Sequence, residues 1–365
     1  MYHMKTPSDN GSNQDGKISN SAQKKKDKFL RILLLVLIIF IGAGERSAQA
    51  ETIQFLGDYY SPKHVLVKRR ENNKKINVFS GLSEILLNTT YNVANFEGTV
   101  TSWLKSQHLG KTYLLNMPPS AISQLPSAHI NAVTLANNHS MDFGSQGLFD
   151  TLASLRNLRI KTAGVGYNIN EALKPMVLGT KYGNVCILAF SRTLPTEFWA
   201  GPNKAGTANL NFTKTADHIK KTSTQCLVTF VSYHWGAEQE NKAKAYQYKL
   251  AKLSIDAGAD AVIGHHPHVL QEIEIYKNKP ILYSLGNFVF GTRPRHSKQE
   301  GMAAKFHIGE KGITAMELTP LSVNNNSVNF VPTLFAKKEK ADHFDPPRHC
   351  KLVAAVSYQK YHCTL

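Results

Sequence analysis

Cysteine is scarce in this chain, with four among 365 residues. No CxxC pair or Cys-His cluster occurs, which argues against a zinc knuckle. Acidic residues are also few: 26 Asp and Glu stand against 43 Lys and Arg, a formal charge of +17. That imbalance suits an anionic partner such as phospholipid headgroups, a polyanionic envelope polymer or nucleic acid, because a basic field concentrates each of them. A generally basic surface with no dedicated partner fits the same number. Internal repeats and long low-complexity linkers are missing. What is present, 42% hydrophobic and 19% charged residues, is the composition of a globular chain with a substantial core.

Long apolar runs are lacking as well. Ile32–Gly44 spans 13 residues, well short of the roughly 20 that a bilayer-spanning helix needs. It follows Lys24, Lys25, Lys26, Lys28 and Arg31 and precedes Ala48-Gln49-Ala50, the order of a signal peptide. Cleavage after Ala50 is expected, with an uncleaved anchor as the alternative; either places the remainder outside the cytoplasm, in the periplasm or on the outer face of the cytoplasmic membrane. Eight Lys or Arg and four Asp or Glu in the first fifty residues carry +4, leaving +13 on residues 51–365. The expected organisation is a signal segment with a polar extension over 1–50, one large domain over 51–335 and a C-terminal extension over 336–365.

Short apolar or β-branched runs recur along the mature chain: TIQFLGD, YNVANFE, NAVTLANN, NVCILAFS, LVTFVSYHWG, DAVIGHH and KPILYSLGN. Between them lie helical stripes, Leu148, Leu152 and Leu155 after Gly147, then Tyr246, Leu250, Leu253 and Ala257 before Gly258. Strands alternating with helices indicate an α/β fold with parallel strands. From Met302 onward, MAAKFHI and GITAMEL are broken by Gly309 and Gly312, the pattern of an antiparallel hairpin. Cys350 and Cys363 flank a strand-like segment and are expected to form a local disulfide. Cys186 and Cys226, inside apolar runs, read as simple buried core residues.

Five strand candidates run directly into metal-capable side chains. They end at Asp58, at Glu97, at Asn138 and His139, at His234, and at His266 and His268. Taken singly, Asp58 is a turn residue, Glu97 a cap or ion-pair partner, and His234 a structural histidine. Taken together they point to one site, because ligands of open α/β folds bind beyond the carboxyl ends of the strands. Proline between His266 and His268 blocks a helix and stiffens the backbone that carries both imidazoles. Imidazole and carboxylate suit zinc, manganese or iron, one ion or two, and such sites polarise phosphoryl oxygens.

The motifs resemble the CapA family of poly-gamma-glutamate capsule-synthesis proteins, relatives of the calcineurin-like metallophosphoesterases. The resemblance is carried by Gly57-Asp58, NFEG from Asn95, TLANNHSMDFGSQGLFDTLASL from Thr134, AGVGYNINEA from Ala163, HWGAE from His234 and AGADAVIGHHPHVLQEIEIYKNKPILYSLGNFVF from Ala257. It implies a layered α/β/β/α sandwich of metallophosphoesterase type, with mixed sheets flanked by helices. It also implies Asp58, Glu97, Asn138, His234, His266 and His268 as metal ligands, and His139 as the general acid. Asp142 either orients His139 or caps the helix that follows. Related phosphoesterases begin with Asp-x-His where this chain has Asp58-Tyr59-Tyr60, so a single metal, a weak second site or replacement by His64 are the open outcomes. The implied function is support of synthesis or export of an anionic polymer, poly-gamma-glutamate by resemblance, with a metal-dependent phosphoesterase-like site acting on that polymer or on a phosphoester. The alternatives are a non-catalytic accessory protein that holds polymer or stabilises a membrane-bound synthase, and a nuclease or nucleotidase, for which the chain lacks a nucleotide-specific signature.

Overall fold

In a computed structural model of the chain, the structure describes His3 and residues 51–365 apart from 69, 72, 73, 76, 106–110, 292–299, 338 and 340–343. The expected signal segment lies outside the described residues. No described helix is long and apolar enough to cross a membrane.

The principal elements, in chain order, are β1 (Glu51–Tyr60), β2 (Tyr91–Phe96), β3 (Ile130–Thr134), α1 (Gly144–Asn157), β4 (Lys161–Ala163), β5 (Met176–Thr180) and β6 (Gly183–Ser191). They continue with α2 (Phe212–Ser223), β7 (Val228–His234), α3 (Ala245–Asp256), β8 (Ala261–His265), β9 (Ile273–Tyr276), β10 (Lys279–Leu282) and β11 (Asn287–Phe290). Last come β12 (Glu300–Gly309), β13 (Gly312–Ser322), β14 (Cys350–Leu352) and β15 (Tyr361–Cys363).

Two sheets hold the strands. The larger runs β14-β15-β13-β12-β1-β2-β3-β4, with β11 also paired to β1, and the smaller runs β9-β10-β8-β7-β6-β5. β1, β2, β3 and β4 pair in parallel, as do β6, β7, β8 and β10. Every residue of β7 and β8 is buried, which is why VTFVSYH and AVIGH are near-continuous apolar runs without alternation: a parallel sheet covered on both faces has no solvent side. β12 and β13 form the antiparallel hairpin expected from the glycine-broken tail.

The sheets pack face to face through Phe55 of β1, Phe230 of β7 and Phe306 of β12, whose ring centroids stand 4.8 to 5.9 Å apart. On the outer face of the larger sheet α1 buries Leu148 and Leu155. On the outer face of the smaller one α2 buries Ile219 and α3 buries Leu250 and Ile255. Each such side chain contributes about 1.5 to 3 kcal/mol by leaving water. The result is the α/β/β/α sandwich, and its packing aligns the carboxyl ends of the two parallel sets.

Cys186 and Cys226 correct the sequence reading, since they form a disulfide with Cα atoms 6.0 Å apart. Cys186 is indeed buried. However, β6 and β7 are sheet neighbours, with Val185 opposite Val228 and Leu227 N donating to Asn184 O at 2.8 Å, so Cys226 is delivered beside it. Cys350 and Cys363, opposite each other in β14 and β15, form the second disulfide. Non-reducing peptide mapping should recover both pairs. Opening the loops of 40 and 13 residues by Cys→Ser replacement should lower stability by about 4 and about 3 kcal/mol in the chain-entropy account; unchanged denaturant midpoints would refute the linkages.

Candidate metal centre

Close backbone approaches fix the two strands that deliver most of the site. At Gly57 in β1, a Cβ would stand 2.2 Å from the Gly286 carbonyl oxygen, and the next residue, Asp58, donates its N–H to that oxygen at 3.0 Å. At Gly264 in β8, a Cβ would stand 1.9 Å from the Tyr283 carbonyl oxygen and 2.7 Å from Trp235 Nε1. These glycines set the depth at which Asp58 and the His265-His266-Pro267-His268 run enter the cleft. His266 and His268 then adopt φ of 98° and 58°, a conformation that costs a non-glycine residue about 1 to 3 kcal/mol and gathers at functional sites.

The structure brings Asp58, Glu97, Asn138, His234, His266 and His268 to one place. Asp58 is fully buried; His268 Nδ1 lies 3.1 Å from its Oδ2 and His265 Nδ1 3.3 Å from its Oδ1. Glu97, also fully buried, has Oε1 without a hydrogen-bond partner. Around that oxygen stand His139 Nε2 at 3.8 Å, His234 Nε2 at 3.8 Å and His268 Nε2 at 3.7 Å. Asn138 Oδ1 is 2.7 Å from His234 Nε2, and the rings of His234 and His266 lie 4.7 Å apart. Two trios, Glu97 with His266 and His268, and Asp58 with Glu97 and His234, each have ligand atoms within 4.8 Å of one another.

The three separations of 3.7 to 3.8 Å around Glu97 Oε1 are too long for hydrogen bonds but close to ligand spacing, since two atoms about 2.1 Å from one ion at the tetrahedral angle are about 3.4 Å apart. Burial alone would raise the Asp58 carboxyl, but the imidazoles of His265 and His268 hold it well below its ordinary value. Glu97 goes the other way, well above its ordinary value, through burial and then the charge of Asp58, with His268 opposing. Burial opposes protonation of His268, yet Glu97 and Asp58 push it up to about 10. Burial and the neighbouring His268 push His266 down to about 3. His268 thus answers the charge of Asp58, while burial keeps His266 and His234 in the neutral form that can ligate a metal. An orphaned acceptor and a mixed imidazole and carboxylate donor set fit a divalent cation.

His139 lies beside this cluster, with Nδ1 2.7 Å from Asp142 Oδ2. Asp142 leaves the helix uncapped, because the N-cap of α1 is Phe143 with no side-chain cap bond. Its oxygens instead meet His139, the Leu115 N–H at 2.6 Å and the Lys111 ammonium. Tyr60 packs on Phe290 with centroids 5.5 Å apart; burial and the Asp142 charge raise its phenol to about 12. His64 is engaged elsewhere, Nε2 lying 2.9 Å from the Gly291 carbonyl oxygen.

Sequence reading missed four contributors. Asn95 Nδ2 donates to Asp58 Oδ1 at 2.9 Å and lies 3.2 Å from His234 Nδ1. Asn287 Oδ1 is 2.9 Å from His268 Nδ1 and turns Nε2 toward Glu97. His265 and Lys111 are the others. Asn95, His265 and Asn287 sat inside quoted motifs, NFEG, GHHPH and LGNFVF, whereas nothing local marked Lys111.

A model of the bacterial capsule synthesis protein PGA_cap family matches residues 52–292. The chain belongs to this family. Among similar proteins is the PGA biosynthesis protein CapA of Bacillus subtilis, 29% identical over 324 residues, covering 84% of each chain. Another is the capsule biosynthesis protein CapA of Bacillus anthracis, 29% identical over 326 residues, covering 84% of this chain and 78% of that one. Among solved structures, a phosphatase from Mycoplasma pneumoniae aligns with a TM-score of 0.47 at 16% identity, covering 75% of this chain and 94% of that one. The family match spans all six clustered residues and includes His139 and Asp142.

Gly264→Ala should displace the strand end that carries His266 and His268. Both a lower melting temperature and a reduced metal content after purification in the presence of Mn or Zn are expected; a variant that matches the parent in both would show that the close approach at Gly264 does not set the site.

Proposed function

We propose that this PGA_cap family member supports synthesis or export of an anionic capsule polymer of the poly-gamma-glutamate kind from outside the cytoplasm, using a metal-dependent, phosphoester-hydrolysing centre. The observation that carries the reading is Glu97 Oε1, buried, without a hydrogen-bond partner and faced by three imidazole nitrogens at 3.7 to 3.8 Å. Asp58, Glu97, Asn138, His234, His266 and His268 would hold one or two divalent ions, Mn, Zn or Fe. Such an ion supplies Lewis-acid polarisation of a phosphoryl oxygen. His139 turns Nε2 toward Glu97, and Asp142 fixes the ring through Nδ1. From that position His139 delivers a proton to the leaving oxygen. Lys-rich composition, +13 over residues 51–365, draws either a polyglutamate or a phosphoester toward the protein.

The test combines composition with turnover. Elemental analysis of the purified protein should find a divalent metal, and added metal should raise the melting temperature by binding the folded state alone. Glu97→Ala and His266→Ala should lose metal and hydrolysis together. His139→Ala should keep metal while hydrolysis of phosphoesters falls about 10² to 10⁴-fold, the usual contribution of a positioned acid. Tyr60 favours a second reading, because its packing on Phe290 leaves Asp58 with no imidazole from its own strand. In that reading the cleft holds polymer, or steadies a membrane-bound synthase, without turnover. Tight metal binding without phosphoester hydrolysis, together with unaltered polymer production by His139→Ala, would select it.

Export rests on the Lys-rich flank, the 13-residue apolar run and Ala48-Gln49-Ala50. Two disulfides also suit an oxidising compartment. N-terminal sequencing of envelope-derived protein should begin at Glu51, and recovery of chains that retain Ile32–Gly44 would replace cleavage with anchoring.

A further inference from the structure

Lys111 is a partly buried cation that neither the strand ends nor the helices supply. It belongs to the segment between Thr99 and Met117, whose ends are stitched together where Thr99 N donates to Leu115 O at 2.9 Å and Met117 N donates to Thr99 O at 2.7 Å. The segment is tied to the loop before α1 by the Leu115 N–H, which donates to Asp142 Oδ2 at 2.6 Å. Lys111 exposes 14% of its side chain. Its ammonium meets Asp142 Oδ1 and the Asn138 carbonyl oxygen, and lies 3.0 Å from His139 Nδ1. The ammonium also stands over the Phe198 ring, 5.2 Å from its centroid.

A lysine withdrawn from water costs free energy unless it is paired and hydrogen-bonded, so its two oxygen acceptors are informative. One is the carbonyl of Asn138, whose amide meets His234, and the other is the carboxylate of Asp142, which accepts from His139 Nδ1 and so orients that ring. Asp142 is fully buried and needs a fixed counter-charge to stand still. Resting on the phosphoesterase reading, we propose that Lys111 is a positioning residue for proton delivery: it clamps Asp142 and the Asn138 backbone so that the His139 imidazole is held with Nε2 toward the leaving oxygen.

The experiment varies the leaving group. Lys111→Met and His139→Ala are compared with the parent on a phenyl phosphate series running from p-nitrophenyl, whose oxygen leaves without a proton, to unsubstituted phenyl. Metal content is measured alongside. Lys111→Met is expected to retain metal, to lose about 10-fold or more in kcat on phenyl phosphate, and to lose little on the p-nitrophenyl ester. Adding it to His139→Ala should bring no further loss, because residues acting through one group are not additive. Should Lys111→Met fail to fold with Asp142 unpaired, Lys111→Arg keeps the charge while moving its donors off the Asn138 carbonyl and Asp142, and carries the same expectation in smaller measure. A kcat loss equal across the series, or full additivity with His139→Ala, overturns the positioning role and leaves the phosphoesterase reading intact. A parent protein that holds metal yet cleaves no ester overturns that reading and this inference with it.

Discussion

Two fully buried carboxylates, Asp58 and Glu97, set the terms for the rest of the molecule. An isolated buried carboxylate is strongly disfavoured unless it is paired, protonated or bound to metal. Here the pairing is supplied from five strand ends, which only a sandwich of two sheets with aligned carboxyl edges can bring together. The aromatic contact of Phe55, Phe230 and Phe306 is therefore more than core packing. It fixes the distance between β1, which brings Asp58, and β7, which brings His234, and a shift of one sheet against the other would separate the two halves of the site.

Amide side chains then convert rough convergence into geometry. Asn95 links Asp58 to His234, Asn287 fixes the nitrogen that His268 turns outward, and Asn138 meets His234. An imidazole whose far nitrogen is held presents the near one in a defined direction. Asn137 extends the network by bonding the Phe96 carbonyl and the His139 N–H, so the His139 loop and the strand leading to Glu97 are joined through a single side chain. Charge alone would gather these groups, while the amides determine which atom of each faces the centre.

Much of this was legible in the sequence because parallel strands buried on both faces spell themselves as apolar runs, and the polar residue that follows each run is where the strand enters the cleft. The helices at Leu148 and Leu250 and the hairpin after Met302 were legible for the same reason, since their patterns are local. Cys186 and Cys226 were misread because β6 and β7 become neighbours only through sheet order, which no local pattern encodes. Lys111 was invisible for a related cause. Its partners lie 27 to 31 positions away, and a lysine in a polar stretch looks like any solvated charge until its segment is seen folded against the loop. Tyr60 was legible as a departure, and its packing on Phe290 shows where the side chain goes.

Backbone strain and charge act on the same residues. His266 and His268 hold left-handed φ values on either side of Pro267, and an unstrained chain there would carry the imidazoles elsewhere. The strain persists because its neighbours cannot yield: Gly264 is pressed against the Tyr283 carbonyl, Trp235 Nε1 donates to that same oxygen at 2.9 Å, and Asp58 accepts from the His266 N–H at 3.3 Å. A site held open this way keeps Glu97 Oε1 unpaired without collapsing onto it, since His139, His234 and His268 are stopped short of hydrogen-bonding distance. Rigidity in the surrounding strands is thus what maintains an unpaired acceptor in the cleft, and it explains why strained histidines, close-packed glycines and a buried orphan oxygen occur together.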